Sequence, residues 1–401
     1  MKFGIIKERK NPPDRRVVFS PGKLKEFKNK FNTAALLVES SDIRVFSDQQ
    51  YKEAGFEVTQ DMTGCDVLFG VKEVPIAALI PNKKYFFFSH TVKKQPYNRA
   101  LMRAILDKNI ELYDHETITK KNGNRLIGFG RYAGIVGAYN GFRAIGLKNT
   151  SFTLPKAETL AGQQELIEAL KGIDIPKYKI LLTGNGKVAY GAKEMLDALH
   201  IKQVSVQDYI ENSFDEPVYC LADVLDYNKH KEDKNTTNKH FYAHPGAYTS
   251  DFYRFAKVTD FFIAGHFYGN GAPFLFTRED AKSNDFKIKF VADISCDVDG
   301  PVASTIRAST IADPLYGYDP KSESEVSYTS ENAIVVMAVD NLPCELPMDA
   351  SEGFGALFLE NVIPAFFNDD KEGVLKRSKM TANGKLTARF AYLQDYIDGK
   401  E

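Results

Sequence analysis

Cysteine is scarce: Cys65, Cys220, Cys296 and Cys344 are the only four in 401 residues, with no C-x-x-C pair and no histidine at zinc spacing. That scarcity excludes a disulfide scaffold and a zinc ribbon, no metal site is expected, and reduced thiols in a cytoplasmic protein are predicted. An excess of charge is missing too, since 52 Lys and Arg stand against 53 Asp and Glu. Neither nucleic acid nor an anionic membrane is therefore expected as a partner. Apolar runs of membrane-spanning length are absent. The longest candidate, IGFGRYAGIVGAYNGFRAIG (127–146), contains Arg131, Asn140 and Arg143, which argues against a span. MKFGIIKERK turns charged within seven residues, so no signal peptide is expected. Internal repeats and low-complexity tracts are lacking as well.

What is present is an alternation of strands and helices, in a chain too long for one ordinary core and suited to two domains. In the first third, residues 3–6, 35–38, 67–71, 86–89 and 111–113 read as strands, with a clear helix over 97–108. A second series follows: a helix over 158–171, a strand over 178–183, a helix over 189–199, and strands over 203–206, 218–221, 260–264, 288–292 and 334–339. This order predicts an α/β protein with parallel sheets. The polar run NKHKEDKNTTNKH (228–240) reads as a surface loop, and Lys121-Asn-Gly-Asn124 as a local hairpin turn. Within 127–146 the small residues Gly130, Gly134 and Ala133, Gly137, Gly141 recur every four positions, which predicts a helix packed closely on another element, placed between domains.

The strongest local motif is ILLTGNGKVAYGAKEML. A buried strand runs into Gly184-Asn-Gly186, then Lys187-Val188-Ala189, then a helix. This is G-x-G-x-x-A in the strand–turn–helix setting that cradles a dinucleotide pyrophosphate on a helix N-terminus. The alternative is a structural glycine turn. About twenty residues on, Asp208 stands where a carboxylate would accept the ribose hydroxyls, a lean towards NAD over NADP. The alternative is that Asp208 only caps the next turn, and the neighbouring Gln207 would not repel a 2′-phosphate.

In the first domain, YFFFSHT (85–91) raises a question: why should a strand buried on both faces end on a histidine? In an open parallel sheet, ligands bind beyond the carboxyl ends of the strands. GVKEVP places Lys72 at one strand end as YFFFSH places His90 at the next. Taken singly, these read as a surface lysine and a satisfied polar terminus. Taken together they form an acid–base pair, because imidazole titrates near neutrality and desolvation lowers a lysine. Arg16, in RRVVFSP after the first strand, suits a bidentate carboxylate, or is an exposed basic turn.

Through these residues the chain resembles the alanine dehydrogenase and saccharopine dehydrogenase superfamily. The resemblance rests on KERKNPPDRRVVFSP, GVKEVP, FFFSHTVKKQPYNRALMRAIL, ELYDHE, GFGRYAG and GNGKVAYGAKEML. ADISCDVDG, STIADPLYGYDP and VVMAVDNLPCELPMDASEGFG are most similar to its lysine–2-oxoglutarate reductase, saccharopine-forming branch. The resemblance implies two Rossmann-like doubly wound domains with a cleft between them: a substrate domain of residues 1–135 and 345–401, and a dinucleotide-binding domain of residues 136–344. It implies Lys72, His90 and Asp297 as catalytic residues, Arg16 as a carboxylate anchor, and Asn341 and Leu342 as lining of the cofactor cleft. Arg131 is a candidate for a second carboxylate, or a helix-capping or interdomain arginine. The implied reaction is NAD- or NADP-dependent interconversion of saccharopine with lysine and 2-oxoglutarate, so that amino acids and 2-oxo acids are the expected partners. The alternatives are an alanine-type amino-acid dehydrogenase and a non-catalytic transhydrogenase-like module. A homo-oligomer remains open. One departure is visible. Where that branch continues DISCD with Gly-Gly-Ser-Ile-Glu, this chain reads Val-Asp299-Gly-Pro-Val-Ala-Ser304.

Overall fold

The computed structural model describes residues 1–400. The chain packs as two compact units, the first formed by Met1–Phe129 with the segment from Pro347 onward, the second by Gly130–Leu346. Both are α/β units on mainly parallel sheets, the fold class that the alternation predicts.

The sheet of the first unit contains β1 (Lys2–Ile5), β2 (Ala35–Glu39), β3 (Glu57–Thr59), β4 (Val67–Phe69), β5 (Lys84–Phe87) and β6 (Glu111–Asp114). The order is β3-β2-β1-β4-β5-β6 with every pair parallel. Its helices include α1 (Pro21–Lys30), α2 (Asp48–Glu53) and α3 (Arg99–Asp107). Ser20 caps α1 by accepting the Lys23 N–H at 3.1 Å, with Pro21 at the first helical position. The Tyr85-Phe-Phe87 run is buried on both faces because successive side chains alternate. Phe86 meets Phe358 of the returning helix Pro347–Asn361, while Tyr85 and Phe87 join Leu101, Met102 and Ile105 of α3 in one cluster. The returning segment is thus part of this core: Ser351 Oγ accepts the Val17 N–H at 2.9 Å, and Phe358 also packs on Phe19 and Phe69.

β5 ends at Phe87, two residues short of the expected Ser89, because the Ser89 N–H goes to the Asp114 carboxylate at 2.8 Å and not to a ladder partner. The Lys121–Asn124 turn forms as expected, with Gly123 at φ +88° and the Lys120 N–H on Asn124 O at 2.8 Å.

In the second unit the strands are β7 (Lys179–Thr183), β8 (Lys202–Gln203), β9 (Val218–Ala222), β10 (Asn228–His230), β11 (Tyr248–Ser250), β12 (Phe261–Ala264), β13 (Phe290–Asp293), β14 (Leu315–Asp319), β15 (Ser324–Val326) and β16 (Ile334–Met337). The main sheet runs β15-β14-β16-β13-β12-β7-β9-β8; β14 is antiparallel to both of its neighbours. The helices that matter below are α4 (Gly130–Asn149), α5 (Gln163–Lys171), α6 (Lys187–Ala198), α7 (Val206–Glu211) and α8 (Asn238–Ala243). Part of the expected 228–240 loop is ordered structure: β10 pairs antiparallel with β11, and α8 begins at Asn238.

The glycine-rich segment forms α4, which belongs to the second unit. Its small residues do serve close packing, here on α6. A Cβ at Gly134 would lie 1.9 Å from Val188 O, and one at Gly191 would lie 2.0 Å from Arg131 O. No helix among the described residues is long and apolar enough to cross a membrane.

Candidate functional site

The first unit gathers polar side chains where its sheet reverses direction. Strand order turns at β1 and β4, which makes the crevice beyond their carboxyl ends a topological switch point. Glu8, three residues past β1, spans that point. Its two carboxylate oxygens accept the Val71 N–H at 2.7 Å and the Lys72 N–H at 2.8 Å, both from the loop after β4. Burial, and then the Asp14 charge, push Glu8 up to about 8 against the pull of those two amides. The loop that carries Lys72 is therefore held by a buried acid.

Asp14 and Arg16 sit beside it as a buried ion pair, each 2 % exposed. The guanidinium donates from Nε at 3.0 Å and from Nη2 at 2.6 Å to the two Asp14 oxygens, and its carbon lies 4.3 Å over the Phe129 ring. Burial alone would raise Asp14, yet the Arg16 charge and its bonds, helped by Lys72, bring it down to about 2. The Lys72 ammonium thus acts on the same pocket of charge. Arg16, expected to meet a substrate carboxylate, already holds an internal one.

His90 follows β5 in the left-handed region, at φ +54°. That conformation is uncommon for a side chain of this size and is worth a functional question. Its Nδ1 lies 2.5 Å from Glu73 Oε1, and Glu73 is the residue after Lys72. Burial, the largest single influence, would raise Glu73, but the His90 bond, a backbone N–H and the His90 and Lys10 charges together bring the carboxylate to about 2. A carboxylate accepts only, so Nδ1 carries the proton and Nε2 is the nitrogen left for chemistry. Beneath this loop Asp114, fully buried at the end of β6, accepts the Ser89 N–H and hydroxyl and the Glu116 N–H. His115 is a core histidine. Its Nε2 donates to Gly70 O at 2.8 Å, Phe88, Phe354 and Phe358 surround the ring, and burial pushes it down to about 3.

In the second unit, β7 leads into Gly184 at φ +107°, where a Cβ would also lie 2.6 Å from Gly265 O, so only glycine fits. Gly186 caps α6 with extended backbone, and no atom lies within 4 Å of where its Cβ would be. That open side faces a cavity of about 460 Å³ whose lining includes Lys187, Val188, Asp223, His266 and Asp297. Ala189 is buried, and its Cα would lie 3.2 Å from a Cβ placed on Gly265. The arrangement fits a dinucleotide: an open backbone cradle at the N-terminus of a twelve-residue helix.

Asp208 is not at the ribose position. The strand after α6 is only Lys202–Gln203, exposed and at the sheet edge, and Asp208 lies in α7. There it is committed to a cap: Ser205 Oγ accepts the Asp208 N–H at 3.1 Å and donates to its carboxylate at 2.7 Å. The buried Val218–Ala222 strand has taken the place beside β7, because apolar side chains on both faces favour the sheet interior over the edge. The residue at the end of that strand is Asp223, which lines the cavity and accepts from Asn238 Nδ2 at 2.6 Å.

Asp297 follows β13 in a loop tied down by buried Asp293, which accepts from Ser295 Oγ at 2.6 Å and Thr305 Oγ1 at 2.7 Å. Leu342 is buried against Gly137, and neither it nor Asn341 lines the cavity. Arg131 belongs to the second unit and donates twice to Glu194 at 2.6 Å, joining α4 to α6, so a packing role suits it better than a second substrate carboxylate. Glu8, Asp14, Glu73 and Asp223 went unnoticed as sequence. Glu8, Glu73 and Asp223 each stand two residues past a predicted strand end, which is the signal that could have found them; Asp14, eight residues past one, gives no such signal.

Mainly parallel sheets, a cluster of charged side chains at a switch point and a glycine turn before a helix characterise this two-unit α/β protein. Residues 4–136 match the family described as "Alanine dehydrogenase/PNT, N-terminal domain". Alpha-aminoadipic semialdehyde synthase of Arabidopsis thaliana is 26% identical over 435 residues, covering 97% of this chain and 41% of that protein. The mouse protein of the same name is 28% identical over 91% of this chain and 45% of its own length. The chain thus spans somewhat under half of these relatives. Saccharopine dehydrogenase [NAD(+), L-lysine-forming] of Yarrowia lipolytica is 23% identical over 82% of this chain and 83% of its own. Among solved structures, an L-alanine dehydrogenase superposes with a TM-score of 0.65 at 16% identity over the full length of both chains. The transhydrogenase of Sinorhizobium meliloti does so at 0.58 and 14%, over 96% of this chain and all of that one. The chain is thus similar to members of the alanine dehydrogenase and saccharopine dehydrogenase superfamily, as its motifs suggested.

Proposed function

We propose that this protein is an NAD-dependent oxidoreductase acting on a C–N bond, and that it interconverts saccharopine with lysine and 2-oxoglutarate. The observation that carries the reading is the pairing of His90 with Glu73, next to Lys72, at the switch point of a dehydrogenase-like unit. The relatives named for saccharopine chemistry support the choice of substrate.

When bound, the nicotinamide supplies or accepts the hydride. The remaining chemistry is proton transfer and binding. In the reductive direction the lysine ε-amine attacks the keto carbon of 2-oxoglutarate, the carbinolamine loses water, and the imine accepts hydride and a proton. Glu73 holds His90 in one tautomer, so that Nε2 exchanges protons with the amine and the departing water. Lys72, on a loop fixed by Glu8, is the second proton carrier. Arg16 and Asp14, paired with each other, fix the charge around that loop. Asp297 lies towards the nicotinamide half of the cavity in this reading.

Asp223 supports NAD in place of Asp208, since a carboxylate accepts from a ribose diol and repels a 2′-phosphate. Titration of the protein with NADH and NADPH is expected to favour NADH. Asp223→Ala should narrow that preference. Gly186→Val, at a position where an added Cβ meets open space, should weaken NADH at least about tenfold with the circular dichroism spectrum unchanged. Unchanged affinity in Gly186→Val would remove the cradle from the reading.

The substrate is tested by steady-state assays with lysine and 2-oxoglutarate, and with ammonia and pyruvate, each with both reduced cofactors. Turnover of the first pair is expected. Turnover of ammonia and pyruvate alone would instead make this an alanine-type dehydrogenase, and turnover of neither would leave a nucleotide-binding module.

A further inference from the structure

Two buried histidines leave one ring nitrogen without a hydrogen-bond partner among the described residues: His115 at Nδ1 and His266 at Nε2. Their surroundings differ. His115 lies in the first unit's core, with three phenylalanine rings packed on it. His266 is only 7% exposed, yet it lines the cavity that Gly186 opens onto. An unpaired polar atom inside a protein costs stability, and one kept in the wall of a cavity calls for a ligand.

The sheet order says which ligand atoms lie nearest. Strand order reverses between β7 and β12, with β9 and β8 on one side and β13 and β16 on the other. The crevice beyond the carboxyl ends of β7 and β12 is therefore the switch point of this unit. His266 is the second residue after β12, and its Nδ1 lies 2.8 Å from Oγ1 of Thr183, the last residue of β7. A Cβ on Gly184, the next residue, would lie 2.9 Å from His266 Cα. The imidazole thus sits against the first glycine of the cradle, on the side of β7 that leads to β13 and Asp297 and away from Asp223. Burial pushes it down to about 4, so the ring is neutral near pH 7. With the Thr183 hydroxyl donating to Nδ1, the one ring proton is on Nε2, which is then a donor.

We propose that His266 Nε2 donates a hydrogen bond to the cofactor's pyrophosphate, at the phosphate on the nicotinamide side. The inference rests on the second unit being the dinucleotide-binding one. Backbone N–H groups at the start of α6 supply donors from one side of the turn, and His266 supplies one from the β12 side. The adenosine half, directed towards Asp223, lies on the other side of β7.

The test uses the full chain and calorimetric titration with NADH, with ADP-ribose, which keeps both phosphates, and with AMP, which keeps only the adenine-side one. Asparagine reaches as far as Nδ1, so His266→Asn keeps a partner for Thr183 and removes Nε2, whereas glutamine reaches the Nε2 position. His266→Asn is expected to weaken NADH and ADP-ribose by about ten- to a hundredfold and to leave AMP within about threefold of wild type. His266→Gln should recover most of the loss. His266→Phe fills the same space without a donor and should repeat the asparagine pattern, which carries the test if His266→Asn does not fold; circular dichroism checks each variant. Wild-type NADH affinity in His266→Asn or His266→Phe overturns the inference. An equal loss for all three ligands with no rescue by glutamine also overturns it, and makes His266 a packing residue. If His266→Asn binds normally while Gly186→Val does not, only the histidine contact is refuted and the cradle stands. If the wild type binds neither NADH nor NADPH, the dinucleotide reading falls with it.

Discussion

Replacing His90 by glutamine, or Lys72 by methionine, is expected to lower kcat by about a hundred- to ten-thousand-fold, with cofactor affinity unchanged. The structure gives each residue a support that a surface lysine or a strand-end histidine would not need. His90 Nδ1 is fixed by Glu73, and that carboxylate stays ionised far into acid because the bond to His90, a backbone N–H and nearby positive charge together exceed the effect of its burial. The Lys72 backbone is clamped by Glu8, and its ammonium helps to hold Asp14 low. Such second partners orient a proton carrier and set its tautomer. Glu73→Gln should therefore lower kcat less than His90→Gln but move the pH profile of kcat, since the neutral amide no longer stabilises the imidazolium. Steady-state kinetics of the four proteins across a pH series checks this. A His90→Gln enzyme with wild-type kcat and pH profile would reduce the histidine to a polar strand terminus.

For Arg16→Gln the expected first effect is on stability, by about 3–5 kcal/mol, because the change removes the guanidinium that neutralises a buried carboxylate. Both partners are 2 % exposed, so water cannot take over from the guanidinium. The sign of the pH dependence follows from Asp14, whose folded-state value is depressed from 3.8 to about 2. Stabilisation from a depressed carboxylate is fully present above its unfolded value and is lost as pH falls through the folded one. The deficit of the variant should thus be largest above pH 3.8 and shrink as pH drops through 2, below which Asp14 is mostly neutral in either protein. Urea unfolding at pH 7 and near pH 3 measures it. A paired Asp14→Asn change should recover part of the loss, as removing both charges leaves no orphan. If Arg16→Gln raises KM and leaves the unfolding midpoint in place, the pair carries no structural load and Arg16 is a substrate anchor only.

Much of this was readable from local sequence. The cradle is one continuous stretch, so strand, glycines and helix could be placed before any fold was known, and Gly184 has the positive φ that such a turn demands. Lys72 and His90 could be put at strand ends because apolar runs stop beside them. The four-residue spacing of small side chains in α4 announced close packing, and Gly134 and Gly191 deliver it.

What lay beyond reach was every pairing that depends on how distant segments are ordered. Counting about twenty residues from the cradle assumes that the next strand lies beside β7, and that assumption led to Asp208. A short exposed Lys-Gln strand cannot hold an interior place against Val-Tyr-Cys-Leu-Ala, so the sheet sets β9 there and Asp223 inherits the position. Arg16 looked available for a ligand, since nothing in RRVVFSP says that Asp14 curls back to fill its fork. Glu8 meets the Lys72 loop 64 residues away only because β1 and β4 are neighbours at the point where strand order reverses. Periodicity and turn chemistry act over a few residues and are written in the chain. Strand order and buried charge pairs are settled by competition for the interior, and only the tertiary structure decides them.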